Sequence, residues 1–318
     1  MRGVFLPGTP MQLTIRNLSK RYRNGVQALD DVSLEIGPGM FGLLGPNGAG
    51  KSTLMRTLAT LQEADSGAAS LDDIDVLRDK DRVRRVLGYL PQEFGVYPKV
   101  TAAEMLDHFA RLKGITDGKA RRAAVDALLE RTNLAGVRKQ KLGSFSGGMR
   151  QRFGIAQALI GNPKLVIVDE PTAGLDPEER VRFHNLLADI GHDVIVILST
   201  HIVDDVADLC PRFAVISKGR VLLAGGPRDA VARLEGRIWR RVVEREELES
   251  LQASLPVIST RLHAGKTLVR AYATSAPAGF EAVEPDLEDV YFSAVAGHLE
   301  PVRAPASAAP AAAATATA

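Results

Sequence analysis

The chain has one cysteine (Cys210), one tryptophan and only 5% aromatic residues in 318 positions. A lone thiol forms no intramolecular disulfide and no zinc site, so a reducing compartment is expected, with Cys210 an inert buried thiol. Strong net charge is also missing: 40 Lys and Arg against 38 Asp and Glu leave +2. With no Lys/Arg stripe interleaved with aromatics, no nucleic-acid partner is expected. No apolar run reaches the roughly 18 residues that cross a bilayer. The longest, Val194–Leu198 and Leu165–Val168, are strand-sized. Residues 1–10 hold one arginine and no long apolar stretch, so no signal peptide is expected there. What remains is ordinary for a globular chain, with 45% apolar and 25% charged residues. The length suits one large domain and a smaller one.

Against that background one stretch stands out. Gly45, Pro46, Asn47, Gly48, Ala49, Gly50, Lys51 and Ser52 fit Gly-x4-Gly-Lys-Ser/Thr, the P-loop pattern. Met40–Leu44 before it reads as a buried strand, and Ser52–Leu58 after it, including Thr53, as a helix. Glycines let backbone N–H groups close around a phosphate without a Cβ clash. The helix N-terminus adds partial positive charge. Lys51 is placed to reach β- and γ-phosphates, and Ser52 to hold Mg²⁺. Binding of a nucleoside triphosphate is expected.

The rest of the chain supplies a scaffold for that loop. Leu13, Ile15 and Leu18, then Val32, Leu34 and Ile36, alternate with polar residues around a turn at Asn24-Gly25. They predict two strands of an antiparallel sheet. Short apolar strands follow at Ala68–Leu71 and Val86–Leu90. Residues 101–160 carry helical spacing, as in Ala103, Leu106, Phe109 and Ala110. Strands return at Leu165–Val168, Val194–Leu198, Phe213–Ile216 and Val221–Leu223, with helices near 178–190 and 203–209 between them. That alternation predicts a parallel α/β sheet. A second unit follows Gly225-Gly226-Pro227. It has a strand at Ile238–Val243, a helix at Glu244–Leu255, a hairpin of Val257–Leu262 with Thr267–Tyr272, and a helix at Pro285–Ala296. From Arg303 the chain is Ala, Pro, Ser and Thr, a composition that predicts disorder.

Leu165–Val168 ends in Asp169-Glu170. An apolar strand ending in Asp is how a P-loop protein sets an acid beside Mg²⁺. Glu170 is then close enough to take a proton from an attacking water. A second anion site is written at Ser146, Gly147, Gly148 and Met149, where a serine and glycine N–H groups open a helix, Met149–Ile160. One triphosphate in one chain has no use for it.

Phe145-Ser146-Gly147-Gly148-Met149-Arg150-Gln151-Arg152, 23 residues before Asp169, resembles the signature of ATP-binding-cassette (ABC) ATPases. That family usually has Leu at the place of Phe145 and Gln at that of Met149; Ser146, Gly147 and Gly148 are intact. The resemblance covers residues 11–226 and implies more. Gln92 matches the glutamine that reaches Mg²⁺ and water, and His201 the histidine that contacts the γ-phosphate. Asp176, in Gly174-Leu175-Asp176-Pro177, matches the loop between two ATP sites, and Tyr22 an aromatic that stacks on adenine. Ser52, Gln92 and Asp169 are the implied Mg²⁺ ligands. The implied fold is a RecA-like P-loop NTPase core with a small antiparallel β subdomain and a helical subdomain near 93–154. A flexible start at 1–10, a small α+β domain over 227–302 and a tail at 303–318 complete it.

Glu284–Phe292 is similar to the segment ending many bacterial ATPases that serve separate drug or polysaccharide exporters. The resemblance therefore implies an ATP- and Mg²⁺-dependent ATPase working as a head-to-tail homodimer, or paired with a related ABC subunit. It would sit on the cytoplasmic face of the membrane through a separate permease. The rival is a soluble ABC ATPase acting on nucleic acid or ribosomes. Against it stand a single cassette and only about 95 residues between P-loop and signature.

Overall fold

The computed structural model describes residues 11–172, 175–191 and 194–300. The start, the Ala/Pro tail and Gly174 lie outside the described residues. The chain begins with strands β1 (Leu13–Arg21) and β2 (Gln27–Ile36), then β3 (Gly39–Leu44), which leads into α1 (Lys51–Leu58). β4 (Ser66–Leu71), β5 (Ile74–Asp75), α2 (Lys80–Val86) and β6 (Leu87–Leu90) follow. A helical stretch holds α3 (Ala102–Leu112), α4 (Gly118–Arg131) and α5 (Gly147–Ala158). Strand and helix then alternate through β7 (Leu165–Asp169), α6 (Pro177–Ile190), β8 (Ile195–Thr200), α7 (Val203–Leu209) and β9 (Arg212–Ser217). β10 (Arg220–Gly225) and α8 (Pro227–Ala232) lead to β11 (Ile238–Val243), α9 (Leu248–Ser254), β12 (Val257–His263), β13 (Lys266–Tyr272), β14 (Glu281–Ala282) and α10 (Leu287–Val295).

The central sheet has the order β10-β9-β3-β8-β7-β6. Every pair is parallel except β9–β10. Its inner strands β3, β8 and β7 are buried on both faces, so they read as continuous apolar runs. Leu44, Val166, Val168, Val196, Leu198 and Val215 face one core, shared with α6 and α7. Leu43, Leu165, Ile167, Ile195, Ile197 and Ile216 face the other, shared with α1 and the sheet β2-β1-β4-β5. Each such side chain contributes about 1.5–3 kcal/mol by leaving water. The register matters for the site. Leu44 pairs with Thr200 and Asp169 with Ser199, so β3, β7 and β8 end level, at the edge where α/β proteins hold ligands. A third core, from Leu106, Leu129, Phe145 and Phe153, unites α3, α4 and α5.

Several expectations shift. Ala68–Leu71 joins the antiparallel sheet, as β4 against β1, and β10 closes the central sheet antiparallel to β9. Val86 ends a helix rather than starting a strand: α2 buries only Val83, so its sequence carries almost no apolar period. The expected helix at 244–255 divides into a 3₁₀ turn, Arg245–Glu247, and α9, neither with a buried residue.

The last sheet, β12-β13-β11-β14, is antiparallel, and α10 packs against α7, α8 and β12. Asp286 and Asp289 form a capping box at the start of α10. Asp289 is 1% exposed and pairs with Arg270. Burial pushes its carboxyl up from 3.8 to about 6, aided by the Asp286 charge and opposed by the Asp286 backbone N–H and Arg270. A raised carboxyl is destabilising once ionised, so its contribution falls as pH climbs from the unfolded value near 3.8 to about 6. The melting temperature of the wild type, compared with Asp289→Asn, should therefore drop relative to the variant across that window. A relative rise would mean that the arginine, not burial, governs Asp289.

Candidate nucleotide site

The loop after β3 is shaped by its glycines. Gly50 has φ +108°, and a Cβ there would lie 2.4 Å from the Ala28 carbonyl oxygen. A Cβ on Gly45 would lie 2.3 Å from that of Ile216. Gly219 N–H donates to Ala49 O at 2.8 Å, tying the loop to the β9–β10 turn. Only glycine permits this close approach of backbone to backbone. Lys51 opens α1 and is 5% exposed. Its Nζ donates to Gly45 O at 2.6 Å and Pro46 O at 3.2 Å. Burial pulls the ammonium pKa down, while the Glu170 and Asp169 carboxylates hold it up.

Glu170 is the meeting point. It leaves β7 with φ 48°, a left-handed conformation costly for a residue with a Cβ. Its N–H donates to Ser199 O at 2.9 Å. Its Oε1 lies 3.9 Å from Lys51 Nζ, and its Oε2 accepts from Gln92 Nε2 at 3.3 Å. His201 Nδ1 is 3.2 Å from the same Oε2. Asp169, beside it, is 4% exposed and its Oδ1 has no hydrogen-bond partner. Burial pushes its carboxyl up, with a smaller push from Glu170. The nearby hydroxyls of Ser199 and Ser52, and the charge of Lys51, oppose this, although Ser199 Oγ makes no hydrogen bond of good geometry. An ionised oxygen left bare in a buried site suits a hard cation. No group of three His, Cys, Asp or Glu side chains placed to hold a metal ion by themselves exists among the described residues. Mg²⁺ needs none, since it takes one carboxylate plus hydroxyl, phosphate and water oxygens.

Tyr22 follows β1 and is 38% exposed. Its hydroxyl lies 3.1 Å from Thr53 Oγ1 and donates to Gln62 Oε1 at 3.1 Å, which sets the ring beside α1. Ser146 is exposed and caps α5, accepting from Met149 N–H at 3.2 Å. Among the described residues, no hydrogen bond or ion pair joins Ser146, Gly147, Gly148 or Met149 to the P-loop, Glu170 or His201. Asp176 caps α6 by accepting from Glu179 N–H at 2.9 Å. α5 and α6 are locked together: Arg152 pairs with Glu179, and a Cβ on Gly148 would meet the Glu179 carboxylate.

The pattern of motifs did not single out Thr172, Arg180, His184 or Asp205. Thr172, Arg180 and His184 converge on the Asp205 carboxylate, and no spacing in the sequence marks them.

Residues 29–173 match the family model described as ABC transporter. The phosphonates import ATP-binding protein PhnC 2 of Haloarcula marismortui is 38% identical over 74% of this chain and 93% of its own length. The uncharacterized ABC transporter ATP-binding protein YxlF of Bacillus subtilis is 32% identical over 89% of this chain and 99% of its own. The probable multidrug ABC transporter ATP-binding protein YbhF of Escherichia coli is 34% identical over 80% of this chain; the match spans 45% of that longer protein. Among solved structures, the dimeric ATP-binding cassette MJ0796 in a post-hydrolysis state, bound to ADP and Pi, aligns with TM-score 0.61 and 28% identity. It covers 67% of this chain and 98% of its own.

Proposed function

The chain belongs to the ATP-binding proteins of ABC transporters, and on that premise we propose that it hydrolyses ATP as one half of a head-to-tail dimer. In this reading each ATP is held by Lys51 and Ser52 of one chain and by Ser146, Gly147 and Gly148 of the other. The gathering of Lys51, Gln92 and His201 around the Glu170 carboxylate carries the proposal.

Each group then has a task. The loop N–H groups and Lys51 neutralise the phosphates as charge builds on them. Gln92 and His201 hold Glu170 and the water it acts on in line with the γ-phosphorus. Glu170 takes a proton from that water, the new hydroxyl bonds to phosphorus, and the bond to the β–γ bridging oxygen breaks. ADP and phosphate result. Ser52, Gln92 and Asp169 hold Mg²⁺, which when bound offsets the charge on the phosphate oxygens. Tyr22 offers a face for adenine.

ATP closes the dimer because its charge bridges helix N-termini of both chains. Asp176 lies in the loop between the two sites. Hydrolysis removes the bridge, and the opening drives a permease carried by another chain. No helix among the described residues is long and apolar enough to cross a membrane. The chain would sit on the cytoplasmic membrane face through that permease. Relatives' names include multidrug transport, daunorubicin resistance and Nod factor export, but also phosphonate import. Most of these names are of drug transport, drug resistance or export, and with the C-terminal segment Glu284–Phe292 they support export.

Calorimetric titration with ATP and Mg²⁺ tests the site. Lys51→Ala should weaken binding about tenfold to a hundredfold, the loss of one or two charge-assisted hydrogen bonds. Unchanged affinity in that variant would overturn the assignment of the loop.

A further inference from the structure

Asp205 is fully buried in α7, with 0% exposure, yet its carboxylate has five polar contacts. Oδ2 accepts from Thr172 Oγ1 at 2.7 Å and Thr200 Oγ1 at 3.2 Å. Oδ1 accepts from Arg180 Nε at 2.9 Å and Nη2 at 2.6 Å, and lies 2.9 Å from His184 Nε2. We propose that Asp205 is a positioning residue for hydrolysis, fixing the spacing between Glu170 and His201 and tying both to α6. This rests on the reading of Glu170 as the general base.

The partners of Asp205 flank both Glu170 and His201. Thr172 stands two residues beyond Glu170, and Thr200 immediately before His201. Arg180 and His184 project from α6, whose cap is Asp176. One carboxylate thus holds the exits of β7 and β8 and the helix that follows the dimer loop. Glu170 needs such support, because its left-handed backbone persists only where its surroundings over-determine it. On one side its N–H is fixed to Ser199 O at 2.9 Å; on the other, Thr172 is fixed to Asp205. His201 is bracketed in the same way, since Thr200 Oγ1 also accepts from Ile202 N–H at 3.0 Å. Stability alone does not account for this cluster. Apolar residues of the same volume commonly serve as well as a buried ion pair or better. What the carboxylate adds is a fixed geometry, and a misplacement of about 1 Å can cost a hundredfold in rate.

The test compares Asp205→Asn and Thr172→Val with wild type and Glu170→Gln in steady-state ATPase assays, with ATP affinity and melting temperature measured on the same samples. Asp205→Asn keeps the volume but turns an N–H₂ group toward donors, and should lower kcat about tenfold to a hundredfold. Thr172→Val removes one hydroxyl and should lower kcat about fivefold. KM and affinity for ATP should stay within about twofold in both, because the P-loop is untouched. A merely structural role would reduce melting temperature and folded yield while leaving kcat per folded molecule intact. A full kcat in folded Asp205→Asn and Thr172→Val overturns the proposal; if Asp205→Asn does not fold, Thr172→Val decides it alone. Glu170→Gln separates the two failures. If it hydrolyses ATP like wild type, the base is misassigned. If it is inactive while the other two keep full kcat, only the role of Asp205 falls.

Discussion

Glu170→Gln should reduce ATP turnover by about a hundredfold to ten-thousandfold, the range associated with a positioned general base. Glutamine keeps the size of the side chain and can keep the 3.3 Å contact with Gln92 and the 3.2 Å contact with His201 through suitable amide orientation. It cannot accept a proton from water at neutral pH. The variant also loses the charge that lies 3.9 Å from Lys51, which frees the ammonium for phosphate and should leave ATP affinity equal or higher. If hydrolysis separates the two chains, as proposed, the variant should accumulate as a dimer whenever ATP and Mg²⁺ are present. Phosphate release and size-exclusion chromatography on the same sample measure both effects. Normal turnover, or a variant that stays monomeric with ATP, would contradict the assignment.

Ser146→Arg has the second large effect. Ser146 caps a 12-residue helix, and Gly147 has open space where a Cβ would be, so the N-terminus of α5 is an accessible anion site. Among the described residues no hydrogen bond or ion pair connects it to the P-loop of its own chain, which fits the proposed role toward the partner's ATP. An arginine side chain would occupy the space meant for phosphate, and loss of the serine cap should cost about 1 kcal/mol of stability. Turnover should fall at least about a hundredfold, the scale of losing preorganised donors from a transition state. ATP affinity of the dilute chain should remain unchanged, because Lys51 and the P-loop lie on the other half of the site. Equal loss of ATP affinity in dilute protein would place Ser146 in its own chain's site instead.

How much of this was legible in the sequence depends on the kind of constraint. The P-loop was readable because its backbone geometry restricts residue type: Gly50 admits nothing larger beside Ala28 O. Asp169 and Glu170 were readable because they close an apolar strand, every residue of β7 being buried, in a chain that already carries a P-loop upstream. Gln92 and His201 were another matter. A glutamine after a short strand and a histidine after another have no local signature, and only the resemblance assigned them roles; the fold then brings both to one carboxylate. Asp205 was invisible, because nothing in the sequence distinguishes it from Asp204 and Asp208 in the same short helix. What separates Asp205 from its neighbours is the set of donors that the segment after β7, the end of β8 and α6 bring to it. The same holds for α2 and the closing antiparallel strand β10, whose placement depends on tertiary pairing and not on local period.

The most direct measurement is ATPase activity per chain across a protein dilution series that spans dimer formation. Phosphate release per molecule should climb steeply with concentration and then level off, as two half-sites find each other. A rate per molecule that stays flat and full at dilutions where light scattering detects only monomer would contradict the composite site outright.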